Sequence, residues 1–332
     1  MEKVRIGIIG CGGRSKAHRK SFAALDYVEV AAVADPIAER RAEVAKQFGC
    51  TRVYTDHKEL FDNETAETLD ALLICVEPTA HGEIERLAIE AGIPFLVEKP
   101  VHMDISEAEK IAKLIEEKNL ITAVGFQDRY LDLMEMVKEE ISKHKPGGLV
   151  YGAWVGGVPA RWWWLKKSTC GGQLYEQNIH LVDGLRWLYG EPISVYATSS
   201  RGMIKPGVDA PEEYDTDDHS TVVFRFENNV TATLCSGCYS KSIRPRCGLY
   251  ITLPDVVIDY RLRNNLIIST ADETRDIPRK VDQTQLLDEA FLKAVMTGDR
   301  DLIRSDYADA LKTHKLCMAA NASMESGQVI YF

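Results

Sequence analysis

At 332 residues the chain exceeds one ordinary hydrophobic core and predicts two domains. Hydrophobic residues at 45% and charged residues at 27% describe a soluble globule, and a formal charge of −10 argues against nucleic acid or an anionic membrane surface as the main partner. No leader-like apolar segment precedes the first predicted strand and no run approaches membrane-spanning length, so the expected location is the cytoplasm.

The stretch from Arg5 to Asp35 reads strand, tight turn, helix, strand, acid. Ile6 to Ile9 is short and β-branched, as a strand buried on both faces requires. Gly10 then permits a sharp turn. Gly12 and Gly13 let backbone approach a pyrophosphate seated on the N-terminus of the next helix. Arg14 and Ser15 complete the turn, with Ser15 adding a hydroxyl where the fingerprint usually has Gly or Ala. Asp35 follows the turn by about twenty residues, where a dinucleotide site wants a carboxylate for the adenine ribose. The alternative is an ordinary glycine-rich turn. A carboxylate there repels a 2′-phosphate and favours NAD, a preference that the nearby Arg40 and Arg41 soften toward NADP.

Farther along, Ile37 to Phe48 predicts a helix stopped by Gly49, and Leu69 to Cys75 a buried strand. Pro78 is expected to open a helix running to Glu90, with His81 either near a cofactor or capping backbone. Ile93 to Val97 is the next strand and delivers Glu98-Lys99-Pro100 to the carboxyl edge of the sheet, where open α/β folds bind ligands. Pro100 restricts Lys99 to extended backbone. Taken alone, this tripeptide is equally a surface lysine beside a turn. Ser106 to Lys118 is an amphipathic helix and Thr122 to Phe126 a further strand. The alternation up to residue 123 predicts a doubly wound parallel sheet.

From Val150 the pattern changes to strands with little helix between them: Val150 to Val158, Ile193 to Ser200, Ser220 to Phe226, Val230 to Cys238, Arg246 to Leu253 and Val256 to Tyr260. Asn228-Asn229 carries hairpin-turn chemistry. A mostly antiparallel open sheet is expected. Gln283 to Met296 and Asp306 to Ser326 return to helical periodicity and are expected to pack back on one of the domains. The eight cysteines have no framework spacing, and the Cys235/Cys238 pair lacks a second ligand pair, so reduced thiols are expected rather than zinc.

Within the second half, Glu176, His180 and Asp183 stand at helical spacing and share one predicted face. Three readings stay open: a metal site, a solvated face with a satisfied histidine, or a general acid/base histidine oriented by a carboxylate. Upstream, Arg161 and three tryptophans precede Lys166. Such rings suit the C–H face of a sugar or, equally, a packed interface. Arg129, Trp163, Lys166, Asn178 and Asp183 are candidates for substrate contact.

Gly10 to Ser15, Glu98-Lys99-Pro100 and Gly171-Gly172 to Asp183, in this order and at these distances, resemble the Gfo/Idh/MocA family of NAD(P)-dependent oxidoreductases. The resemblance extends to Gly125 through Tyr130, to Ala290-Phe291 and to Ser323 through Gly327. It implies an N-terminal Rossmann domain over residues 1–123, followed by a C-terminal α+β domain over 124–332 for substrate binding and oligomerisation; an exposed face on that second sheet would make a homodimer or homotetramer natural. It also implies hydride transfer to or from a ring hydroxyl of a sugar or cyclitol. Lys99 then matches the lysine of the family's Glu-Lys-Pro signature and His180 the histidine that accepts the hydroxyl proton. Glu176 replaces the usual aspartate and Asn178 the usual glycine, two changes that bear on substrate identity. Pro78, His81, Glu98, Lys99 and Gln127 join the glycine-rich turn and Asp35 as implied cofactor contacts, and no metal is implied. Rival readings are a redox-assisted elimination of a glycoside and a sugar- or NAD-sensing regulator without catalysis.

Overall fold

The computed structural model describes residues 3–158, 160–240, 243 and 245–332. The chain divides into two compact units: Met1–Tyr130 with Asp282–Leu311, and Leu131–Val281 with Lys312–Phe332. The first boundary therefore lies after Tyr130 rather than after residue 123, and the segment Asp282–Leu311 is part of the first unit.

The first unit begins with β1 (Val4–Ile9), α1 (Ser15–Ala23), β2 (Val28–Ala34), α2 (Ala38–Phe48), β3 (Arg52–Tyr54), α3 (His57–Asn63) and β4 (Ala71–Ile74). It continues through α4 (Glu83–Ala91), β5 (Phe95–Val97), α5 (Ile105–Glu117) and β6 (Thr122–Val124). These strands form a six-stranded sheet in the order β3-β2-β1-β4-β5-β6, all neighbours parallel. That order reverses direction between β1 and β4, and ligands bind at such a switch point, outside the carboxyl ends of the strands. β1, β2 and β4 are buried on both faces, which is why their sequences are continuous apolar runs.

One predicted helix is broken. Pro78–Ala80 forms a 3-10 turn, His81 is extended, and α4 starts only after Gly82, whose φ of +109° suits glycine. The Glu85 carboxylate accepts the Gly82 N–H at 2.5 Å and so caps the new start.

The second unit carries α6 (Asp132–Ser142), β7 (Gly148–Val155), α7 (Lys167–Cys170), α8 (Ile179–Tyr189), β8 (Pro192–Ser200), β9 (His219–Phe226) and β10 (Val230–Gly237). Then follow β11 (Gly248–Thr252), β12 (Val257–Arg261), β13 (Asn265–Ser269) and β14 (Thr274–Pro278). The chain closes with α9 (Gln283–Thr297) of the first unit, α10 (Tyr307–Ser326) and β15 (Ile330–Tyr331). The nine strands of this sheet lie in the order β14-β13-β12-β11-β7-β10-β9-β8-β15. Every described pairing is antiparallel except β10 with β7. Asn229, at φ 60°, turns the chain between β9 and β10. One face of the sheet receives α8, which packs on β10. None of the described helices is long and apolar enough to cross a membrane.

Candidate active site

In the first unit the glycine-rich turn sits between β1 and α1. Gly10 has φ +91°, and a Cβ there would meet the Cys75 carbonyl oxygen at 2.2 Å, so only glycine lets β1 and β4 end this closely. At Gly12 the situation is opposite. A Cβ would find nothing nearer than Arg40 Nη1 at 4.0 Å, and the backbone lies open to a ligand. Gly13 is exposed beside it, and Ser15 Oγ donates to the Gly12 carbonyl at 2.7 Å, fixing the entry to α1.

Asp35 is buried. Its two carboxylate oxygens accept the N–H groups of Cys11 at 2.7 Å and Ile37 at 2.8 Å, which ties the end of β2 to the turn. Burial and the Asp35 charge push the Cys11 thiol up to about 12, so it stays neutral. Arg41 Nη1 donates to the Asp35 carbonyl at 3.1 Å.

The end of β5 carries Glu98 and Lys99. Arg14 Nε donates to Glu98 Oε1 at 2.7 Å, so one ion pair joins the glycine-rich turn to the residue preceding Lys99. The buried Arg14 Nη2 has no hydrogen-bond partner among the described residues, and the same holds for His81 Nε2. His81 Nδ1 is engaged with Glu85 Oε1 at 2.6 Å. An open glycine backbone beside the buried, unfilled Arg14 donor fits a polyanionic, ribose-bearing cofactor on this unit. Pro78 and Gln127 are buried along the same carboxyl edge.

Arg129 is placed differently from its expected substrate role. Its Nη1 lies 2.7 Å from Asp309 Oδ2 and donates to the Arg304 carbonyl at 2.6 Å, inside the first unit. The guanidinium therefore clasps the returning segment to the turn after β6.

The second unit holds His180 at the first turn of α8, preceded by a π turn over Leu174–Asn178 that contains Glu176. Such i→i+5 turns recur at functional sites, and the wider turn changes the simple helical register expected of these residues. His180 and Glu176 are both nearly buried. The His180 ring stacks on Trp154 of β7, with centroids 6.0 Å apart and planes 30° from parallel, and the Arg263 guanidinium lies 5.3 Å from the Trp154 ring. Neither Trp154 nor Arg263 was distinguishable in the sequence. The only signal for Trp154 is its alternation, which puts it on the inward face of β7 with Val150 and Gly152.

Asp183 is withdrawn from the expected polar face. It is 1% exposed, and Oδ1 accepts from Thr313 Oγ1 at 2.9 Å with Arg186 Nη1 3.8 Å away. Asn178 Nδ2 donates to the Cys235 carbonyl at 3.1 Å and to Ser236 Oγ, anchoring the π turn to β10. Its Oδ1 is buried with no partner among the described residues. Trp163 is half-buried, its ring 5.8 Å from the Arg161 guanidinium and its Nε1 without a described partner. Lys166 is exposed. Trp164 Nε1 donates to Gln173 Oε1 at 3.0 Å, which fixes the tryptophan loop to the start of the histidine motif.

Comparison with known proteins matches residues 4–126 to a model described as an oxidoreductase family with NAD-binding Rossmann fold, and residues 148–253 to the GFO/IDH/MocA C-terminal domain. Rhizopine catabolism protein MocA from Rhizobium meliloti is 28% identical over 218 residues, which span 63% of this chain and 66% of that protein's own length. Levoglucosan dehydrogenase from Pseudarthrobacter phenanthrenivorans is 23% identical over 309 residues, or 83% of this chain and 78% of that protein. Among solved structures, a levoglucosan dehydrogenase in complex with NADH and levoglucosan superposes with a TM-score of 0.87 at 20% identity, covering 99% of both chains. At that identity the likeness speaks for the fold.

Proposed function

The chain belongs to the Gfo/Idh/MocA oxidoreductase family, and we propose that it transfers a hydride between a nicotinamide cofactor and a ring hydroxyl or ketone of a sugar, cyclitol or derivative. The observation that carries this reading is the Arg14–Glu98 ion pair, because it binds an open dinucleotide-type turn to the segment bearing Lys99. A relative named scyllo-inositol 2-dehydrogenase (NAD(+)) and the levoglucosan dehydrogenase point to the same substrate class.

When bound, the nicotinamide supplies the carbon that accepts or returns the hydride. The backbone of Gly10 to Ser15 would receive the pyrophosphate at the start of α1, and Asp35 the adenine ribose. In this assignment the His180 imidazole takes the proton of the substrate hydroxyl, and the Lys99 ammonium donates to that oxygen and offsets its developing charge. Trp154 keeps the imidazole in one orientation, and Glu176 biases its protonation. NAD is the preferred cofactor because the Asp35 side chain, at the end of β2, would stand where a 2′-phosphate would sit, with Arg40 leaving NADP a weaker substitute. The eight free thiols suit a reducing compartment, the cytoplasm, and the open sheet face suits a homodimer or homotetramer.

The test offers purified protein NAD or NADP with a panel of sugars, cyclitols and glycosides, following reduced nicotinamide and analysing products. Reduced cofactor should accumulate with one substrate class, and His180→Ala should lose roughly 10²–10⁴-fold in turnover, the usual range for a positioned acid/base. Substrate consumed without net reduction would replace the reading by redox-assisted elimination. Tight NAD binding without turnover would replace it by a sensor.

A further inference from the structure

Behind Lys99 the Arg14–Glu98 pair continues into two further charged side chains, His18 and Asp288, that the chemistry above does not use. His18 projects from α1 with both ring nitrogens engaged: Nδ1 lies 2.7 Å from Asp288 Oδ1 on α9, and Nε2 lies 3.0 Å from Glu98 Oε1. That Glu98 oxygen is the one that accepts from Arg14 Nε. His18 and Asp288 have no exposed side-chain surface. An ionised carboxylate only accepts, and a neutral imidazole has a single N–H, so with Asp288 and Glu98 both ionised the two contacts call for a ring protonated at both nitrogens. His18 and the partly exposed Arg14 then balance Glu98 and Asp288. Gly125 leaves the room: a Cβ there would meet the Glu98 carboxyl group at 2.6 Å.

We propose that His18, held as an imidazolium by Asp288, is a positioning residue that fixes the Glu98 carboxylate and thereby sets both Lys99 and the glycine-rich turn for the nicotinamide cofactor. The proposal rests on the reading that this unit holds such a cofactor. Glu98 is bonded to Lys99 through the chain and to the turn through Arg14, so its carboxylate is the one point common to both. A neutral His18 would present a lone pair to one carboxylate, leave the cluster with a net negative charge and release Glu98.

The groups that face His18 set the direction of its pH dependence. Burial pushes the ring down, but the Asp288 charge and hydrogen bonds to Asp288 and Glu98 outweigh burial and the opposing Arg14, holding it above its ordinary 6.5. A raised folded value means the clamp is complete below the ordinary value and is lost as pH rises through the higher one. Burial would raise Glu98 from 4.5, yet the charges of Arg14 and His18, with Lys99 beside them, hold it at about 2. Glu98 thus stays ionised until strongly acid pH. Burial pushes Asp288 up and, with Glu98, the adjacent Cys75 thiol well above its ordinary value, so Cys75 stays neutral throughout. The alkaline limit therefore belongs to His18.

The experiment uses the whole chain as wild type, His18→Gln and Asp288→Asn, with ring-nitrogen NMR of the histidines and NADH affinity followed by cofactor fluorescence from acid to alkaline pH. Wild type should show one histidine protonated at both nitrogens above neutrality and an affinity that falls roughly tenfold, or about 1.4 kcal/mol, as that signal titrates. Asp288→Asn should move both events down by about one pH unit while the melting curve stays cooperative. His18→Gln should bind NADH more weakly with no such limb. A neutral His18 at pH 7, or wild-type affinity and pH dependence in both variants, would overturn the proposal and leave the cofactor reading intact. Wild type that binds no nicotinamide cofactor at any pH would remove both.

Discussion

Single residues divide into those whose chemistry is local and those whose partners are remote in sequence. Lys99 and His180 stand in short motifs, and proline, glycine and spacing around them are what make them candidates. His18 and Asp288 lie 270 positions apart, and nothing in either neighbourhood announces the 2.7 Å contact. Arg129 and Asp183 likewise have partners, Asp309 and Thr313, from the far end of the chain that their own neighbourhoods do not announce. Asp35 was legible, but its tethering by two backbone N–H groups was not. That tether makes cofactor choice testable at one side chain. The exposed Arg40 is the cation nearest Gly12 in the turn, so Arg40→Glu should weaken NADPH binding by about tenfold or more, the value of a charge-assisted hydrogen bond of roughly 1.5–3 kcal/mol, and change NADH by less than about twofold. Fluorescence titration with each cofactor measures this. Equal losses for both would show that Arg40 does not read the 2′ position.

Elements were legible where burial on both faces writes a continuous apolar run, as in β1, β2 and β4, or where alternation is clean, as in β9 and β10. β3 spans three residues and β15 two, too short for any period to appear, and β14 lies almost fully exposed, so its sequence carries no apolar signal. The π turn before α8 is invisible for another reason: it is set by Asn178 anchoring to β10, a contact outside the helix itself. α9 is the clearest case of a helix whose start can be read directly. Asp282 accepts the N–H groups of Thr284 at 3.1 Å and Gln285 at 3.3 Å, both otherwise without intrahelical partners. Asp282→Ala should lower stability by about 1 kcal/mol. In urea unfolding the midpoint should fall with the slope unchanged, and NADH affinity should hold, because the cap touches neither Glu98 nor His18. An unchanged midpoint would mean that water replaces the cap without loss.

For the whole molecule, the change of architecture near the middle of the chain was written in the change of period, from strand-helix alternation to successive strands. What the period could not assign was Asp282–Leu311, because a helix carries no mark of which unit its apolar stripe will join. Nor does alternation say whether the polar-facing side of a sheet is wet. Strand pairing settles what lies on that side. Tyr250 pairs with Tyr151, Tyr151 with Thr233, Thr233 with Val223, and Val223 with Tyr196, one row across β11, β7, β10, β9 and β8. Within it Tyr151 and Tyr250 stack at 4.8 Å, and Tyr151, Tyr196 and the neighbouring Leu149 are 45%, 43% and 50% exposed. Aromatic and aliphatic side chains on this stretch of the open face, bounded beyond Tyr250 by Asp259 and Arg246, would suit self-association. A two-fold axis placing this row against its copy would bury it with a single self-complementary contact, the arrangement on which the proposed homodimer rests. Tyr151→Lys sets a charge at the middle of the row, and across a two-fold axis that charge would face its own copy or nearby equivalent. Wild type should sediment as a dimer or tetramer and Tyr151→Lys as a monomer with an unchanged circular dichroism spectrum, because the substituted position lies outside the packed core. A monomeric wild type would sink the assembly outright, and an oligomeric Tyr151→Lys would move the interface to another face.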